Sequence, residues 1–126
     1  DTVDRVKNNM GGMHVFTEED IAAKRRSSNT TDKRVSAKMT RFDDLEIGDF
    51  DIILVDIEGM EHDFLQGARL SLLKNKPILI IEIWDDAKRK SENMDTTQKQ
   101  MIDHISAMGY KLFTTCGGDD FVFLPL

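Results

Sequence analysis

A chain of 126 residues and 14.4 kDa has the size of one domain, enough to bury a core and too little for two independent ones. Its net charge of -6, from 23 acidic against 17 basic residues, excludes a generically basic surface for nucleic acid or anionic membrane. A single cysteine, Cys116, excludes an intramolecular disulfide, and no apolar run approaches the roughly 20 residues that span a bilayer. A soluble, reducing compartment, the cytoplasm, is expected, with neither nucleic acid nor membrane as partner. The chain begins at Asp1 without a charged, apolar leader, and we expect it to derive from a longer reading frame.

The pattern predicts one partial domain, with a polar, loop-rich lead-in over 1–42 and an α/β core over 43–126. Asn8, Asn9, Gly11 and Gly12 are loop formers. From Lys24 to Arg41 there are seven Lys or Arg against one acid, Asp32. Alternation at Val35 to Met39 fits a brief strand, and Ser27 to Asp32 has the chemistry of an exposed turn. Between Asp43 and Asp63 the balance inverts to nine acids and no Lys or Arg.

Within that acidic stretch lies Ile52-Ile53-Leu54-Val55, which is β-branched and does not alternate, as expected of a strand buried on both faces of a parallel sheet. From Met60 the period changes: Met60, Phe64, Leu65, Ala68, Leu72 and Leu73 make one face of a helix running to Lys74 and stopped near Asn75 and Pro77. A second apolar run, Ile78 to Ile81, follows. Strand, helix, strand in about 35 residues is a crossover unit with parallel strands. A charged linker, Asp85 to Asn93, leads to a helix capped by Asp95 or Thr96, with Met101, Ile102, Ile105 and Met108 on one face and Gly109 ending it. Tyr110 to Thr115 and Phe121 to Leu124 then read as an antiparallel hairpin around Gly117 and Gly118.

Ligands of open α/β sheets bind beyond the carboxyl ends of the strands, and those ends are acidic here. Asp56 and Glu58 follow the first run two residues apart, which in extended backbone sends both carboxylates to one side. Glu82 closes the second run, with Trp84, Asp85 and Asp86 beyond it. Such carboxylates can accept hydrogen bonds, take a proton from a nucleophile or hold a hard cation. Glu61 and Asp63 suit a helix N-terminus by charge alone. His62 can serve as a base or be a plain surface residue, and Trp84 can stack on a ligand ring or cover the sheet edge.

The segment from Asp51 to Ala68, DIILVDIEGMEHDFLQGA, closely resembles the FkbM family of S-adenosylmethionine-dependent methyltransferases. Its hallmark is a strand ending in Asp-x-Glu-Gly-x-Glu followed by Leu-x-Gly-Ala, and every element is present. The likeness continues from Pro77 to Glu82. It is weaker over Asn9 to Gly12, Met39 to Leu45 and from Gly109-Tyr110 through the final hairpin. The resemblance implies a three-layer, Rossmann-like methyltransferase fold in truncated form, with a mainly parallel sheet and a C-terminal antiparallel hairpin. It implies S-adenosylmethionine as cofactor and methyl transfer to the hydroxyl of a sugar or small molecule. Asp56, Glu58 and His62 become the catalytic candidates, Glu82 and Trp84 the substrate-binding ones, and no metal ligand is expected.

The glycine-rich cofactor turn of class I methyltransferases has no counterpart before Asp51. The chain thus resembles the second half of such a domain, whose strand order 3-2-1-4-5-7-6 would be reduced to 4-5-7-6. An alternative reading follows: a non-catalytic fragment or interaction module, self-associating through the exposed edge of the 52–55 strand. A further alternative comes from Gly117-Gly118-Asp119-Asp120-Phe121, which resembles the signature of GGDEF diguanylate cyclases and would imply metal-dependent phosphotransfer or nucleotide binding. Five residues with two glycines carry little specificity, and only five residues follow Phe121.

Overall fold

The structure, a computed structural model, describes residues 38–126. The expectations for Gly11 and Gly12, for most of the basic segment and for the start of a Val35 to Met39 strand lie outside those residues. Lys38 and Met39, which are described, belong to no strand.

Among the described residues four strands form one sheet: β1 (Ile52–Val55), β2 (Ile78–Glu82), β3 (Tyr110–Cys116) and β4 (Asp120–Pro125), in the order β1-β2-β4-β3. β1 and β2 are parallel, with Ile52 opposite Ile78 and Val55 opposite Ile81. β4 is antiparallel to both β2 and β3. The sheet is therefore mixed, with one parallel ladder of three, which corrects the expectation of a mainly parallel sheet. The connections explain it: helices carry the chain from β1 back to the start of β2, whereas three residues between Cys116 and Asp120 permit only an antiparallel return. Gly117 and Gly118 take the positive φ angles, 60° and 93°, that this turn needs.

The single helix expected from Met60 to Lys74 is two, α1 (Glu61–Gly67) and α2 (Arg69–Asn75), broken at Ala68. Gly67 is a weak helix former, and its bare Cα lies under the Arg41 side chain, where a Cβ would sit 3.5 Å from that of Arg41. The segment before β1 then clamps the break. Phe42 packs edge-on against Phe64 and Phe50, with centroids 5.5 and 5.8 Å apart. Asp43 accepts from the backbone N–H groups of Leu70 and Ser71 at 3.0 and 2.8 Å, capping α2 from 27 residues upstream.

The charged stretch expected as a linker contains a helix, α3 (Asp86–Ser91), capped by Asp85, whose carboxylate accepts from the Lys88 N–H at 2.8 Å. Helix α4 (Gln98–Ala107) is capped by Thr97 rather than Asp95 or Thr96. Thr97 and Gln100 exchange side chain to backbone hydrogen bonds in a reciprocal box. Gly109, at φ 90°, follows its end.

Val55, Leu79, Ile81, Phe121 and Phe123 line one face of the sheet and pack with Leu65, Ala68 and Leu72 of the α1–α2 segment and Met101 and Ile105 of α4. Each large aliphatic buried this way contributes about 1.5–3 kcal/mol. The opposite face carries Ile52 and Leu54, 59% and 70% exposed, beside the half-buried Ile78, Ile80 and Val122. β1 is thus covered on one face among the described residues. Among the described residues the core is built from the sheet and one helical layer, and the third layer of the expected fold is not among them.

Candidate active site

Parallel pairing brings the carboxyl ends of β1 and β2 to one edge. Because Val55 lies opposite Ile81, the next residues, Asp56 and Glu82, leave the ladder side by side. Antiparallel β4 begins at that same edge, where Asp120 pairs with Glu82 and the Asp119 carbonyl accepts from the Ile83 N–H at 2.8 Å.

Asp56 and Glu58 are gathered differently from the extended arrangement expected. β1 ends at Val55, and Glu58 lies in a turn at φ 53°, in the left-handed region that non-glycine residues rarely occupy, followed by Gly59 at φ 97°. The chain therefore coils back between Asp56 and Met60. Glu61 holds the coil: it is 2% exposed, and its Oε1 accepts from the Gly59 N–H at 3.0 Å. A group expected only to balance the helix N-terminus is a buried brace. Arg89 of α3, equally buried, stands close enough for its charge to feel that of Glu61. Its Nε donates to the Thr96 carbonyl at 2.6 Å and its Nη2 to the Thr96 hydroxyl.

Glu82 is the electrostatic centre of the edge. Burial pushes its carboxyl above the usual range, the Trp84 indole pulls it down by donating to Oε2 at 2.8 Å, and the charges of Asp56 and Glu58 push it up against that of Lys88. The ends of β1 and β2 thus place Asp56, Glu58 and Glu82, three of the expected site residues, at one edge, within reach of the charge on Glu82. Trp84 is 2% exposed and carries the Lys88 ammonium 3.7 Å from its ring centre, so it covers the edge and orients Glu82 instead of offering an open stacking face. His62 is placed against α4: its ring lies 5.6 Å from that of His104.

A groove of about 460 Å³ between α3 and the start of α4 is lined by Arg89, Lys90, Asn93 and Thr96 among others, and by none of these carboxylates. Among the described residues no three His, Cys, Asp or Glu are grouped to hold a metal ion.

A strand ending in two carboxylates, a left-handed Glu-Gly turn and a Glu folded back onto it is the spatial form of the Asp-x-Glu-Gly-x-Glu pattern. A family model of the methyltransferase FkbM domain matches residues 4–112. The chain belongs to the FkbM methyltransferase family. No curated protein and no solved structure matches it significantly. The FkbM match runs from the lead-in through the carboxylate turn, β2 and α4 and into β3. Membership implies use of S-adenosylmethionine in general. That cofactor carries a sulfonium and an ammonium group, and the concentrated negative charge around Glu82 fits cationic groups. The described residues hold no glycine-rich strand-to-helix turn for its ribose and carboxylate. None of their helices is long and apolar enough to cross a membrane.

Sequence reasoning missed Glu61, Arg89 and the Asp119–Asp120 rim. Glu61 was visible as the last acid of the hallmark, and the rim was reachable by counting the register of β4 back from Phe121. Nothing local marked Arg89, one of three consecutive basic residues, as the buried one.

Proposed function

We propose that this chain forms the acceptor side of an S-adenosylmethionine-dependent O-methyltransferase acting on a hydroxyl of a sugar or other small molecule. The observation that carries the reading is the meeting of Asp56, Glu58 and Glu82 at one sheet edge in a chain of this family. The cofactor, when bound, supplies the methyl group. The acceptor hydroxyl donates to Asp56, whose carboxylate would take the proton as the oxygen–methyl bond forms and the methyl–sulfur bond breaks, leaving S-adenosylhomocysteine, while Glu58 holds a neighbouring hydroxyl. With Oε2 of Glu82 held by Trp84, Oε1 is the atom available to a substrate hydroxyl. His62, engaged at the α1–α4 contact, is left outside this scheme.

The test is calorimetric titration with S-adenosylhomocysteine, followed by methyl transfer to a panel of hydroxyl acceptors by wild type and Asp56→Asn. Saturable binding is expected, with turnover lost in the variant and melting temperature kept, since Asp56 is exposed. Equal losses in turnover and stability would overturn the role of Asp56. Absence of binding up to millimolar ligand would favour a second reading, the non-catalytic interaction module. That reading is supported by the outward-facing Ile52 and Leu54 of β1, an edge strand among the described residues, through which two copies can associate.

A further inference from the structure

The contact between α1 and α4 holds two imidazoles that the methyl-transfer scheme does not use. The rings of His62 and His104 are 5.6 Å apart between centroids, with planes at 57°. Both residues are half-buried. His62 Nε2 lies 2.8 Å from the Gln66 amide nitrogen one turn along α1. An amide nitrogen only donates, so in this arrangement Nε2 accepts and a neutral ring carries its proton on Nδ1. That Nδ1 is buried and has no hydrogen-bond partner. His104 makes no side-chain hydrogen bond within the described residues.

Two imidazoles bound to one tetrahedral ion, each with a metal–nitrogen distance of about 2.0–2.1 Å, place their ring centres about 5 Å apart, close to the separation here. We propose that His62 and His104 form a two-histidine site for one divalent transition-metal ion of the Zn²⁺, Ni²⁺ or Cu²⁺ class, joining α1 to α4. Coordination through His62 Nδ1 moves the ring proton to Nε2. Half a turn of the exposed Gln66 amide then presents its oxygen to that proton, the outer hydrogen bond that metal-bound histidines usually make. Burial, the His62 ring and the Arg69 cation all hold the His104 pKa below its ordinary value. Arg69 opposes a metal cation as it opposes a proton, and two coordinate bonds must outweigh it. Since no third His, Cys, Asp or Glu joins the pair among the described residues, water completes the coordination shell.

The test uses the untagged chain stripped of metal and titrated with Zn²⁺ by calorimetry, with histidine ring NMR resonances followed in parallel. One ion per chain is expected, with the resonances of His62 and His104 moving together, those of His14 still, and a rise in melting temperature. His62→Ala and His104→Ala should each weaken uptake at least about tenfold while melting like wild type without metal. Gln66→Ala should weaken it less. Uptake unchanged in both histidine variants, resonance shifts confined to His14, or no saturation up to millimolar Zn²⁺ would each overturn the proposal. If a histidine variant fails to fold, the resonance shifts of the wild type decide.

Discussion

The Trp84 indole N–H donates to Glu82 Oε2 across one intervening residue, at 2.8 Å, and is the hydrogen bond that restrains a carboxylate otherwise pushed upward in pKa by burial and by Asp56 and Glu58. Because the folded-state pKa of Glu82 stands above its unfolded value, the ionised side chain costs stability at neutral pH, a cost that vanishes as pH falls through the folded pKa. Glu82→Gln, which still accepts from Trp84, should therefore raise the melting temperature at pH 7 and lose that advantage below the carboxylate range. A variant less stable than wild type at pH 7 would contradict this.

Glu61 supplies the acceptor for the Gly59 N–H, which is buried in the turn. Glu61→Gln retains a carbonyl oxygen at that place and should cost little, whereas Glu61→Ala orphans the N–H and should cost about 1–3 kcal/mol. Urea unfolding of both variants distinguishes a hydrogen-bond brace from simple charge balance at the helix end, for which the two would behave alike.

Asp43 is held below the usual carboxylate pKa range: slight burial raises it, and the N–H groups of Ser71 and Leu70 outweigh that. Its depressed value means a contribution to stability that is complete above the unfolded pKa and lost as pH falls through the folded one. Asp43→Ala should lose about 1 kcal/mol at pH 7 and Asp43→Asn less, since a side-chain oxygen still caps α2. The difference between wild type and Asp43→Ala should close in acid.

Leu54 is 70% exposed on β1, so Leu54→Lys should leave folding stability within about 0.5 kcal/mol. If β1 mediates self-association, wild type should sediment with a mass that grows with concentration and the lysine variant should stay monomeric. Identical monomeric behaviour in both would remove β1 as an interface.

Much of the fold was legible from period alone. The turnover from the Ile52 to Val55 run to the spacing of Phe64, Leu65, Ala68 and Leu72 marked the first crossover, and Leu65, Ala68 and Leu72 are fully buried. What failed depended on distant partners. The kink at Ala68 is fixed by Arg41 and Asp43, and the one-sided burial of β1 depends on what lies over Ile52 and Leu54, which an uninterrupted apolar run does not encode. At the site, residue types at strand ends located Asp56, Glu58 and Glu82. The conformation joining the first two was misread because a glutamate at positive φ is not expected from its side chain.

The register of β4 has a practical consequence for studying the edge where those carboxylates meet. Cys116 pairs with Asp120, and Asp120 in turn with Glu82, so the chain's sole thiol stands two strand spacings, about 10 Å, from the proposed acceptor pocket. It is exposed and free. A small fluorophore attached there needs no cysteine to be added or removed, and its emission would report the arrival of an acceptor directly from the rim of the wild-type protein.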